Sequence, residues 1–355
     1  MIQALIKGTG SYIPNQIIDN ETFSSALFYE SNNVPIDKNT DVVISKFSEI
    51  TGIKSRRYAN NNQQASDLGT LAAERAIGDA EIDKETLDYI IVAHNFGDVL
   101  HNTNRVDMLP TLASRIKMNL QIHNPTCVAY DLPFGCPGWV EAVIQANYFI
   151  RSGDAKRCLV IGAETLSRVV DPHDRDSMIY SDGAAAVILE AATQTERGIL
   201  AHATETHAIQ HAMLLQMGPG YHQEDENSAN RYIKMQGRKV YEFAVTHVPQ
   251  AMAKALQKAK VNLKDVKKIL IHQANEKMDE AIVNRLYKHA GLVVPDNIMP
   301  MTISWLGNSS VATVPTMLDL IKREKFPPHE ISDGDIILFA SVGAGMNINA
   351  IVYRW

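Results

Sequence analysis

The segment CVAYDLPFGCPGWVEAVIQANYFIRSG, residues 127–153, places a cysteine at a sharp bend and decides how the rest of the chain is interpreted. Pro137 has a fixed φ and no amide donor, which suits the first position of a helix. The residues after it carry apolar side chains at helical spacing. Residues 127–135 have the pattern of a buried strand that closes on a glycine. We therefore predict a strand, a tight turn and a helix, with Cys136 as the helix N-cap.

This position predicts a reactive thiol. The unpaired amides and the macrodipole at a helix N-terminus stabilise an anion and lower the pKa of a cysteine from its usual value of about 8.5. The alternative is a buried structural cysteine, which is the usual role of a free thiol. Cys127 and Cys158 lie in apolar, strand-like segments, and we predict that both are structural.

Composition limits the class of protein. The chain has 355 residues, of which 45% are hydrophobic and 21% charged, as expected for a globular protein with one large domain or two fused ones. No apolar run approaches the roughly 18 residues that span a bilayer, and the first residues do not resemble a signal peptide. Three widely spaced cysteines form no disulfide framework, so we expect a cytoplasmic enzyme with free thiols. A net charge of −6 argues against sequence-independent nucleic-acid binding.

Strand-like and helix-like segments alternate in the same order in both halves of the chain, which predicts an α/β fold with mixed sheets and an internal duplication. We place the division near residue 190, giving an N-terminal half 1–190 and a C-terminal half 191–355. Ligands in such folds bind at the carboxyl ends of strands. The predicted strands are 88–95, 157–164 and 184–190 in the first half and 266–275 and 335–355 in the second; the predicted helices include 65–80 and 239–259.

Two polar stretches interrupt this alternation. Residues 26–43 and 217–235 are rich in turn-forming residues, so we interpret them as insertions or loops. Each could cap a pocket, or it could be a surface loop without a role.

Two further polar motifs lie in the second half. His272 ends the strand-like run KKILIH, where an α/β fold exposes catalytic side chains, and Asn308 follows a glycine in SWLGNSSVATVP. Taken singly, a histidine at a strand end is more often structural, and an asparagine after glycine usually forms a turn. Together with Cys136 they predict a nucleophile accompanied by two hydrogen-bond donors.

With these motifs in order along nearly its whole length, the chain resembles the 3-oxoacyl-[acyl-carrier-protein] synthase III (β-ketoacyl-ACP synthase III) family of thiolase-like condensing enzymes. The resemblance implies a thiolase-like duplicated five-layer αβαβα fold, a homodimer, and a Cys-His-Asn active site on Cys136, His272 and Asn308. The motifs that carry it are GCPGW, LSRVVDPHDRD, SDGAAAVIL, QGRKVYEFAV, HQAN, GNSSVATVP and VGAGMN.

The resemblance also implies a reaction. Acyl transfer from a thioester, acyl-CoA or acyl-ACP, to Cys136 splits a condensation into two easier steps. Backbone N–H groups of Cys136 and Ala344 would hold the oxyanion, and Gly343 and Gly345 would let the backbone approach closely. Malonyl-ACP would then lose carbon dioxide, and its enolate would attack the acyl group to give a 3-oxoacyl product. We expect no metal and no bound cofactor.

The side chains that would donate to the enolate oxygen are His272, through Nε2, and the amide of Asn308. Comparable donors elsewhere contribute roughly 3 kcal/mol each. Asn275, in the same HQAN motif as His272, is expected to orient the imidazole or to line the pocket.

Several positions depart from the family pattern. Relatives that use acetyl-CoA stack the adenine between a tryptophan and an arginine, with a second arginine nearby. Lys46 and Ile50 replace the tryptophan and the second arginine, whereas Arg168 matches the arginine of the clamp. Arg238 replaces an asparagine of the family. These differences leave the choice between coenzyme A and carrier protein as donor open.

The nucleophile motif is also bulkier than in many relatives. Trp139 follows the catalytic turn, and we expect it to contact the substrate. Residues 95–110, expected near the acyl tunnel, differ from the family pattern as well. The primer is therefore not necessarily acetyl.

The helix after HQAN carries a basic stripe. Lys277, Arg285 and Lys288 are spaced so that they lie near one helix face, and Lys277 matches a basic position that relatives use for the acidic carrier protein. The alternative is an ordinary solvated face. His207 and His211 are four residues apart but lack the glutamate of the His-Glu-x-x-His pattern, so we do not expect a metal there.

Four other functions stay open at this point. An acyltransferase on the same fold would move the acyl group to a hydroxyl or an amine, and a non-catalytic partner subunit would never become acylated. A thiolase would need a second cysteine near the C-terminus, yet no cysteine follows Cys158. A 3-hydroxy-3-methylglutaryl synthase would need a catalytic glutamate in the first half, which the sequence does not identify.

Overall fold

The structure is a computed structural model that describes residues 2–222 and 229–355. The described residues form nine α-helices, and the last of them directly follows a short 3₁₀ turn. They are α1 (Thr40–Thr51), α2 (Ala65–Ala80), α3 (Leu112–Asn119), α4 (Gly138–Ser152), α5 (Ala208–His211), α6 (Gly237–Ala259), α7 (Glu276–His289), α8 (Ile303–Leu306) and α9 (Thr313–Lys322).

Fifteen strands occur in the same described ranges. They are β1 (Gln3–Tyr12), β2 (Gln16–Asp19), β3 (Ser55–Tyr58), β4 (Tyr89–His94), β5 (Asp98–Val99), β6 (Val106–Asp107), β7 (Val128–Pro133), β8 (Arg157–Thr165), β9 (Asp182–Ala192), β10 (Gly198–Thr206), β11 (Leu215–Gly218), β12 (Tyr232–Met235), β13 (Val266–Ile271), β14 (Ile336–Gly343) and β15 (Asn347–Arg354).

Two mixed sheets form the centre of the molecule. The first has the order β1-β9-β8-β4-β7 and the second the order β10-β15-β14-β13. In each sheet the first three strands pair antiparallel, and the remaining pairs are parallel. The strands nearest the centre, such as β8 and β14, are buried on both faces, and their sequences are almost continuously apolar for that reason.

Helices cover both sheets and also lie between them. Helices α2 and α3 pack on the outer face of the first sheet, and α6 covers the outer face of the second with α7 against it. Helix α4 contacts strands of both sheets, and so does α9, so these two form the layer between them. Three apolar clusters fill the interfaces. The predicted five-layer αβαβα arrangement is confirmed.

The order of strands repeats between the sheets, because β1, β9, β8 and β4 correspond in pairing to β10, β15, β14 and β13. In chain order, the last strand of the first sheet, β9, ends at Ala192, and the first strand of the second sheet, β10, begins at Gly198. This arrangement supports the inferred duplication, and the division at residue 190 stays a prediction. Of the two predicted insertions, residues 26–43 contain a bridge between Tyr29 and Pro35, and the start of α1.

Two local predictions were wrong. The helix after the bend begins at Gly138, with Pro137 as its N-cap, so Cys136 lies one residue before the cap. Strand β7 was expected to be buried, but it is the edge strand of its sheet, and Val128 at its start is 48% exposed. The residues of β7 are exposed or only partly buried along its whole length, as expected for an edge strand.

Candidate active site

Cys136 lies in the turn that joins β7 to α4, at the carboxyl end of the first sheet. Gly135, directly before it, has a φ of 71°, a left-handed conformation that glycine adopts without steric cost. The amide of Asn349, on β15 of the second sheet, donates to the carbonyl oxygen of Pro137 at 3.1 Å. The turn that presents the thiol is therefore held from both halves of the molecule.

A second backbone segment lies against this turn. A Cβ atom on Gly343 would stand 2.6 Å from the backbone nitrogen of Cys136, and one on Gly135 would stand 2.9 Å from the backbone nitrogen of Ala344. Only glycine permits so close an approach of two backbones. The N–H groups of Cys136 and Ala344 thus belong to adjoining backbone segments, and the Asn347 amide holds the second segment by donating to the Ala344 carbonyl.

His272 and Asn308, from the second half of the chain, are each held by backbone hydrogen bonds. His272 directly follows β13, and its backbone N–H donates to Ala340 of β14 at 2.9 Å. Asn308 is fixed by two backbone bonds, from its N–H to Ile179 and from the N–H of Ser181 to its carbonyl, each 2.9 Å long. Both residues are more than nine-tenths buried.

Ser310 lies beside two of the predicted residues. Its N–H donates to Asn308 Oδ1 at 2.8 Å, its hydroxyl accepts from the Asn95 amide at 2.9 Å, and it lines the same cavity as Cys136. Ser310 itself has a φ of 53°, which is uncommon for a residue with a Cβ atom. The sequence interpretation had not singled out this serine.

A cavity of about 210 Å³ opens onto the thiol, and apolar side chains dominate its wall. The hairpin of β11 and β12 supplies one side of this wall. It overlaps the predicted insertion 217–235 and begins two residues before it. Residues 223–228 of that insertion lie outside the described residues. The lining residues are Asn95, Phe96, Cys136, Leu166, Tyr180, Leu215, Gln216, Met217, Ile233, Ser310 and Ala344.

Desolvation opposes ionisation of the Cys136 thiol. Burial raises the pKa of Cys136 to about 12, and the hydrogen bonds from Ser310 and from its own backbone N–H offset this only in part. The prediction of a lowered pKa was therefore wrong, because desolvation outweighs the helix terminus. Burial also lowers the pKa of His272 to about 4, so its imidazole is neutral at physiological pH.

A buried carboxyl group completes the polar side of the site. Glu164, near the end of β8, is 2% exposed, and burial raises its pKa to about 8. The amide of Asn95, directly after β4, donates to the Glu164 carboxylate and, at 2.9 Å, to the Ser310 hydroxyl. Sequence interpretation missed Asn95 and Glu164, although both stand at strand ends, where His272 was recognised.

Two residues predicted to contact substrate lie elsewhere. Trp139 is 1% exposed and packs edge-on to Phe339 in the core between the sheets, because it is on the inward face of α4. Arg168 donates to the carbonyl groups of Val99, Asn60 and Gln63, so its guanidinium is engaged inside the protein rather than free to stack on adenine. Neither residue lines the cavity at Cys136, so the structure gives these two predictions no support.

The remaining positions of the predicted adenine site are on the surface. Lys46 and Ile50 are exposed on α1, and Arg238 is exposed at the start of α6, where it pairs with Glu242 at 3.0 Å. None of the three is among the cavity-lining residues.

Asn275 has a structural task that the sequence prediction had not assigned. Its side-chain oxygen accepts the N–H of Met278 and so caps the N-terminus of α7. On the same helix Lys277 and Lys288 are exposed and Arg285 is partly exposed, in agreement with an accessible basic stripe.

The remaining candidate residues, the two other cysteines and the histidine pair, lie where structural roles are expected. Cys127 and Cys158 are unpaired and buried, and burial raises the pKa of both thiols. His207 is close to Phe243 and His247, with its Nε2 2.8 Å from Glu205. Across residues 2–222 and 229–355 no group of three or more His, Cys, Asp or Glu side chains is arranged to hold a metal, and no helix there is long and apolar enough to cross a membrane.

The geometry defines the class first: a duplicated five-layer fold with a cysteine in the turn between β7 and α4, opening onto a cavity, is that of a thiolase-like condensing enzyme. Family models extend this assignment. Residues 130–208 match 3-oxoacyl-[acyl-carrier-protein (ACP)] synthase III, and residues 256–355 match the C-terminal part of the same family. The matched ranges include Cys136, His272 and Asn308.

Whole-length relatives agree with the family models. The chain is 31% identical to the β-ketoacyl-[acyl-carrier-protein] synthase III of Paracoccus denitrificans, with all of both chains covered, and 32% identical to that of Prochlorococcus marinus, with 98% of this chain and 95% of the relative covered. The 3-oxoacyl-(acyl carrier protein) synthase III structure from Pseudomonas aeruginosa superposes with a TM-score of 0.81 at 26% identity, covering 99% and 98% of the two chains. The Aquifex aeolicus structure gives 0.80 at 28% identity, covering 99% and 100%.

The chain belongs to the 3-oxoacyl-[acyl-carrier-protein] synthase III family, and the expectation drawn from its motifs is confirmed. Members of this family are acyltransferases that condense thioesters in the priming of fatty acid synthesis.

Proposed function

We propose that this protein transfers an acyl group from a thioester to Cys136 and condenses it with malonyl-ACP, releasing carbon dioxide and a 3-oxoacyl thioester. The observation that supports this most directly is that Cys136 opens onto a cavity shared with Ser310, whose N–H is bound to Asn308 Oδ1. Cys136, His272 and Asn308 each have a separate chemical task.

In the first half-reaction the sulfur of Cys136 attacks the thioester carbonyl carbon, and the carbonyl oxygen becomes an oxyanion. The N–H groups of Cys136 and Ala344 are the donors for it, because their backbone segments adjoin through Gly135 and Gly343. These donors are fixed by the fold before substrate binds, so they need no reorganisation when charge develops.

In the second half-reaction malonyl-ACP loses carbon dioxide and its thioester oxygen gains negative charge. Asn308 Oδ1 is already occupied by the Ser310 N–H, so its amide nitrogen is the group left to donate to that oxygen. A neutral His272 carries one ring proton and is a suitable second donor. The low pKa of its imidazole favours this donor role over that of a general acid.

The partners of the proposed reaction follow from its substrates. Malonyl-ACP brings an acidic carrier protein, and we assign its docking to Lys277, Arg285 and Lys288 on α7, of which the two lysines are exposed. No bound cofactor or metal is part of the proposed mechanism. A cytoplasmic location completes the proposal and agrees with three unpaired cysteines.

A homodimer also belongs to this proposal. Strand β7 forms an open edge of the first sheet, and Leu109, which is 85% exposed, lies just before the helix α3 that packs on β7. An open strand edge beside exposed apolar side chains is suited to pairing with a second copy. Light scattering at micromolar concentration should give twice the mass of the 39.3 kDa chain; a monomer at that concentration would contradict the dimer.

Condensation is tested by supplying the purified protein with malonyl-ACP and a set of acyl donors and separating the products. We expect a 3-oxoacyl-ACP whose formation requires Cys136. Transfer of the acyl group to an added alcohol or amine, with no loss of carbon dioxide from malonyl-ACP, would instead identify an acyltransferase.

A further inference from the structure

The first of the two predicted insertions contains a compact loop, residues 27–36, which we name the brace loop. It closes through an antiparallel bridge between Tyr29 and Pro35 and through the N–H of Ile36, which donates to the Phe28 carbonyl at 2.9 Å. Phe28 is 4% exposed, because its side chain packs into an apolar cluster. Four of the side chains that line the cavity at the thiol belong to this cluster or pack against it: Phe96, Leu166, Tyr180 and Ile233.

The brace loop is bonded to residues 169–174, which lie after β8 in the chain. The N–H of Tyr29 donates to the His173 carbonyl at 2.8 Å, and the Nδ1 of the His173 imidazole donates to the Leu27 carbonyl at 3.0 Å. The rings of Tyr29 and His173 also meet edge to face, with their centroids 5.5 Å apart. Residues 169–174 are therefore fixed against the brace loop by backbone and side-chain contacts.

The same segment holds the hairpin of β11 and β12. The N–H of Ile233, on β12, donates to the Val169 carbonyl at 2.9 Å. The ammonium of Lys234, the next residue of the strand, lies 2.6 Å from the Asp171 carboxylate and 3.0 Å from that of Asp174. Because Lys234 is 8% exposed, salt and water screen these ion pairs little. One strand of the hairpin is thus anchored to the segment that the brace loop contacts.

The brace loop also contacts the hairpin region directly. Tyr29 stacks on His222, which lies a few residues after β11, with the ring centroids 4.4 Å apart and the planes 19° from parallel. The Nδ1 of His222 donates to Asn33 Oδ1, in the brace loop, at 3.3 Å. The N–H of the neighbouring Tyr221 donates to Asp171 at 2.6 Å. Tyr29 therefore links the end of β11 to the segment that anchors β12.

The hairpin presents apolar side chains to the cavity. Met217 and Ile233 are paired across its two strands, and Leu215 lies on the same face of β11 as Met217. All three line the cavity that opens onto the thiol. A displacement of the hairpin would therefore change the width of the cavity at this wall.

The volume of the cavity sets its capacity for a hydrocarbon chain. An engineered protein cavity of about 150 Å³ holds benzene, a ring of six carbons. On that scale the cavity of about 210 Å³ holds roughly eight carbons. Protein interiors are close-packed, so a longer chain fits only if part of the wall moves.

We propose that the brace loop fixes the hairpin of β11 and β12 and thereby limits the primer to an apolar acyl chain of up to about eight carbons, an inference that rests on the function proposed above. Tyr29 acts as a positioning residue, because it touches the hairpin region and the anchoring segment but does not belong to the described cavity lining. Chain-length selection thus depends on a loop that never reaches the thiol.

The test compares the rates at which hexanoyl, octanoyl, decanoyl and dodecanoyl thioesters acylate Cys136 in the wild-type protein and in Tyr29→Ala, measured by rapid quenching and intact mass. The wild-type rate should fall at least about 10-fold between octanoyl and decanoyl, the usual discrimination for added methylenes in an apolar pocket. In Tyr29→Ala the ratio of decanoyl to hexanoyl rates should rise about 10-fold, while the hexanoyl rate stays within a few-fold of wild type. This ratio does not respond to a uniform loss of active protein.

Two further variants serve as controls. Tyr29→Phe keeps the ring and should keep the wild-type ratio. Tyr148→Ala removes a different contact between tyrosine and histidine rings, the one with His202 at 5.6 Å, and should also keep it. An unchanged ratio in Tyr29→Ala, or an equal rise in Tyr148→Ala, would overturn the role of the brace loop. A wild-type protein that accepts dodecanoyl as fast as hexanoyl would overturn the chain-length limit.

Hydrogen exchange reports on the hairpin itself. Tyr29 is only partly buried, so Tyr29→Ala should retain the fold. The backbone amides of residues 215–218 and 232–235 should exchange several-fold faster in this variant, because the hairpin has lost a support. Exchange at the wild-type rate would overturn the brace, whatever the activity of the variant.

A second probe separates the brace from the proposed reaction. N-alkyl maleimides of increasing chain length react with the Cys136 thiol and need no acyl donor, and Cys136→Ala gives the background from Cys127 and Cys158. The ratio of N-decyl to N-hexyl rates should rise in Tyr29→Ala as the acylation ratio does. If no thioester acylates the wild-type protein, the proposed function fails while the maleimides still test the brace. If acylation proceeds but neither ratio changes in the variant, the brace fails alone.

Discussion

Asn308 Oδ1 accepts the backbone N–H of Ser310 at 2.8 Å, and this bond decides which end of the Asn308 amide faces the reaction. The carbonyl end is occupied, so the NH₂ end is the one available to substrate. The orientation implies that Asn308 stabilises the enolate of the second half-reaction rather than taking part in acyl transfer.

Asn308→Asp should therefore separate the two half-reactions. An aspartate can still accept the Ser310 N–H but has no amide donor, so condensation should fall about 10²-fold to 10³-fold, the usual effect of losing one such donor. Acylation of Cys136, measured by intact mass, should remain within a few-fold of wild type. Normal condensation by Asn308→Asp would contradict the assigned role.

Gly343→Ala should abolish acylation. Its Cβ would lie 2.6 Å from the Cys136 nitrogen, too close for any real contact, so the segments that carry the two oxyanion donors would have to separate. Gly78→Ala on α2 is the matched control, because a Cβ there has no neighbour within 4 Å. That change should leave acylation intact and stabilise the helix by about 0.5–1 kcal/mol in urea unfolding. Equal acylation by both variants would argue against the proposed oxyanion site.

Acyl-CoA and the matching acyl-pantetheine should be equally good donors. Arg168 holds three carbonyl groups inside the protein, and Lys46 stands where acetyl-CoA-dependent relatives have a stacking tryptophan. Neither position of the expected adenine clamp is therefore available to favour the nucleotide, so kcat/KM for the two donors should agree within a few-fold. A preference for acyl-CoA of 10²-fold or more would show that the adenine is bound in another way.

Lys234→Met should destabilise the wall of the cavity. Lys234 on β12 is buried and pairs with Asp171 at 2.6 Å and with Asp174 at 3.0 Å. Its removal leaves two buried carboxylates without their cation, which costs about 3–5 kcal/mol of unfolding free energy. Lys254→Met, at an exposed pair with Glu205, is the control and should cost under about 1 kcal/mol.

The loss in Lys234→Met should shrink as the pH falls. Burial already raises the pKa of Asp174 while Lys234 opposes that shift, so removal of the lysine raises this pKa further. A carboxyl group whose folded-state pKa exceeds its unfolded value destabilises the protein above the unfolded value, and protonation at lower pH removes the penalty. A pH-independent loss in thermal unfolding would point to packing as the cause.

The buried carboxyl group of Asp279 should by itself make the stability of the protein depend on pH. It is fully buried on α7, neither carboxylate oxygen has a partner among the described residues, and burial, with Glu276 and Glu280 nearby, raises its pKa well above the ordinary value. The unfolded chain ionises at a lower pH, so this group costs stability increasingly as pH rises above about 4. Asp279→Asn should raise the melting temperature at pH 7 and have little effect near pH 4; the opposite pattern would contradict the buried neutral carboxyl.

The alternation of strands and helices was predictable because apolar periodicity is a local property. The helix predicted at 65–80 and the observed α2 coincide, and the strand predicted at 157–164 is one residue shorter than β8. The residues of the site could be proposed because His272 and Asn308 lie in recognisable motifs. The sequence could not show which side chains are engaged in hydrogen bonds inside the protein.

Arg168 illustrates this limit, since its match to a substrate-binding arginine gave no sign of the three carbonyl groups that it holds. The contacts of Asn95 illustrate it again. Asn95 is separated from Glu164 by 69 residues and from Ser310 by 215, so their contacts exist only in the folded chain. The thiol pKa was mispredicted for a related reason: the helix terminus is visible in sequence, whereas the desolvation that outweighs it depends on tertiary packing.

The most direct test of the account is intact-mass analysis of the protein after exposure to acyl-CoA and acyl-ACP donors of several chain lengths, followed by malonyl-ACP. We predict a single acyl adduct on the wild-type protein that is missing in Cys136→Ala and disappears on addition of malonyl-ACP as 3-oxoacyl-ACP forms. An adduct that persists in Cys136→Ala, or an acylated protein that malonyl-ACP does not discharge, would contradict the proposed condensation.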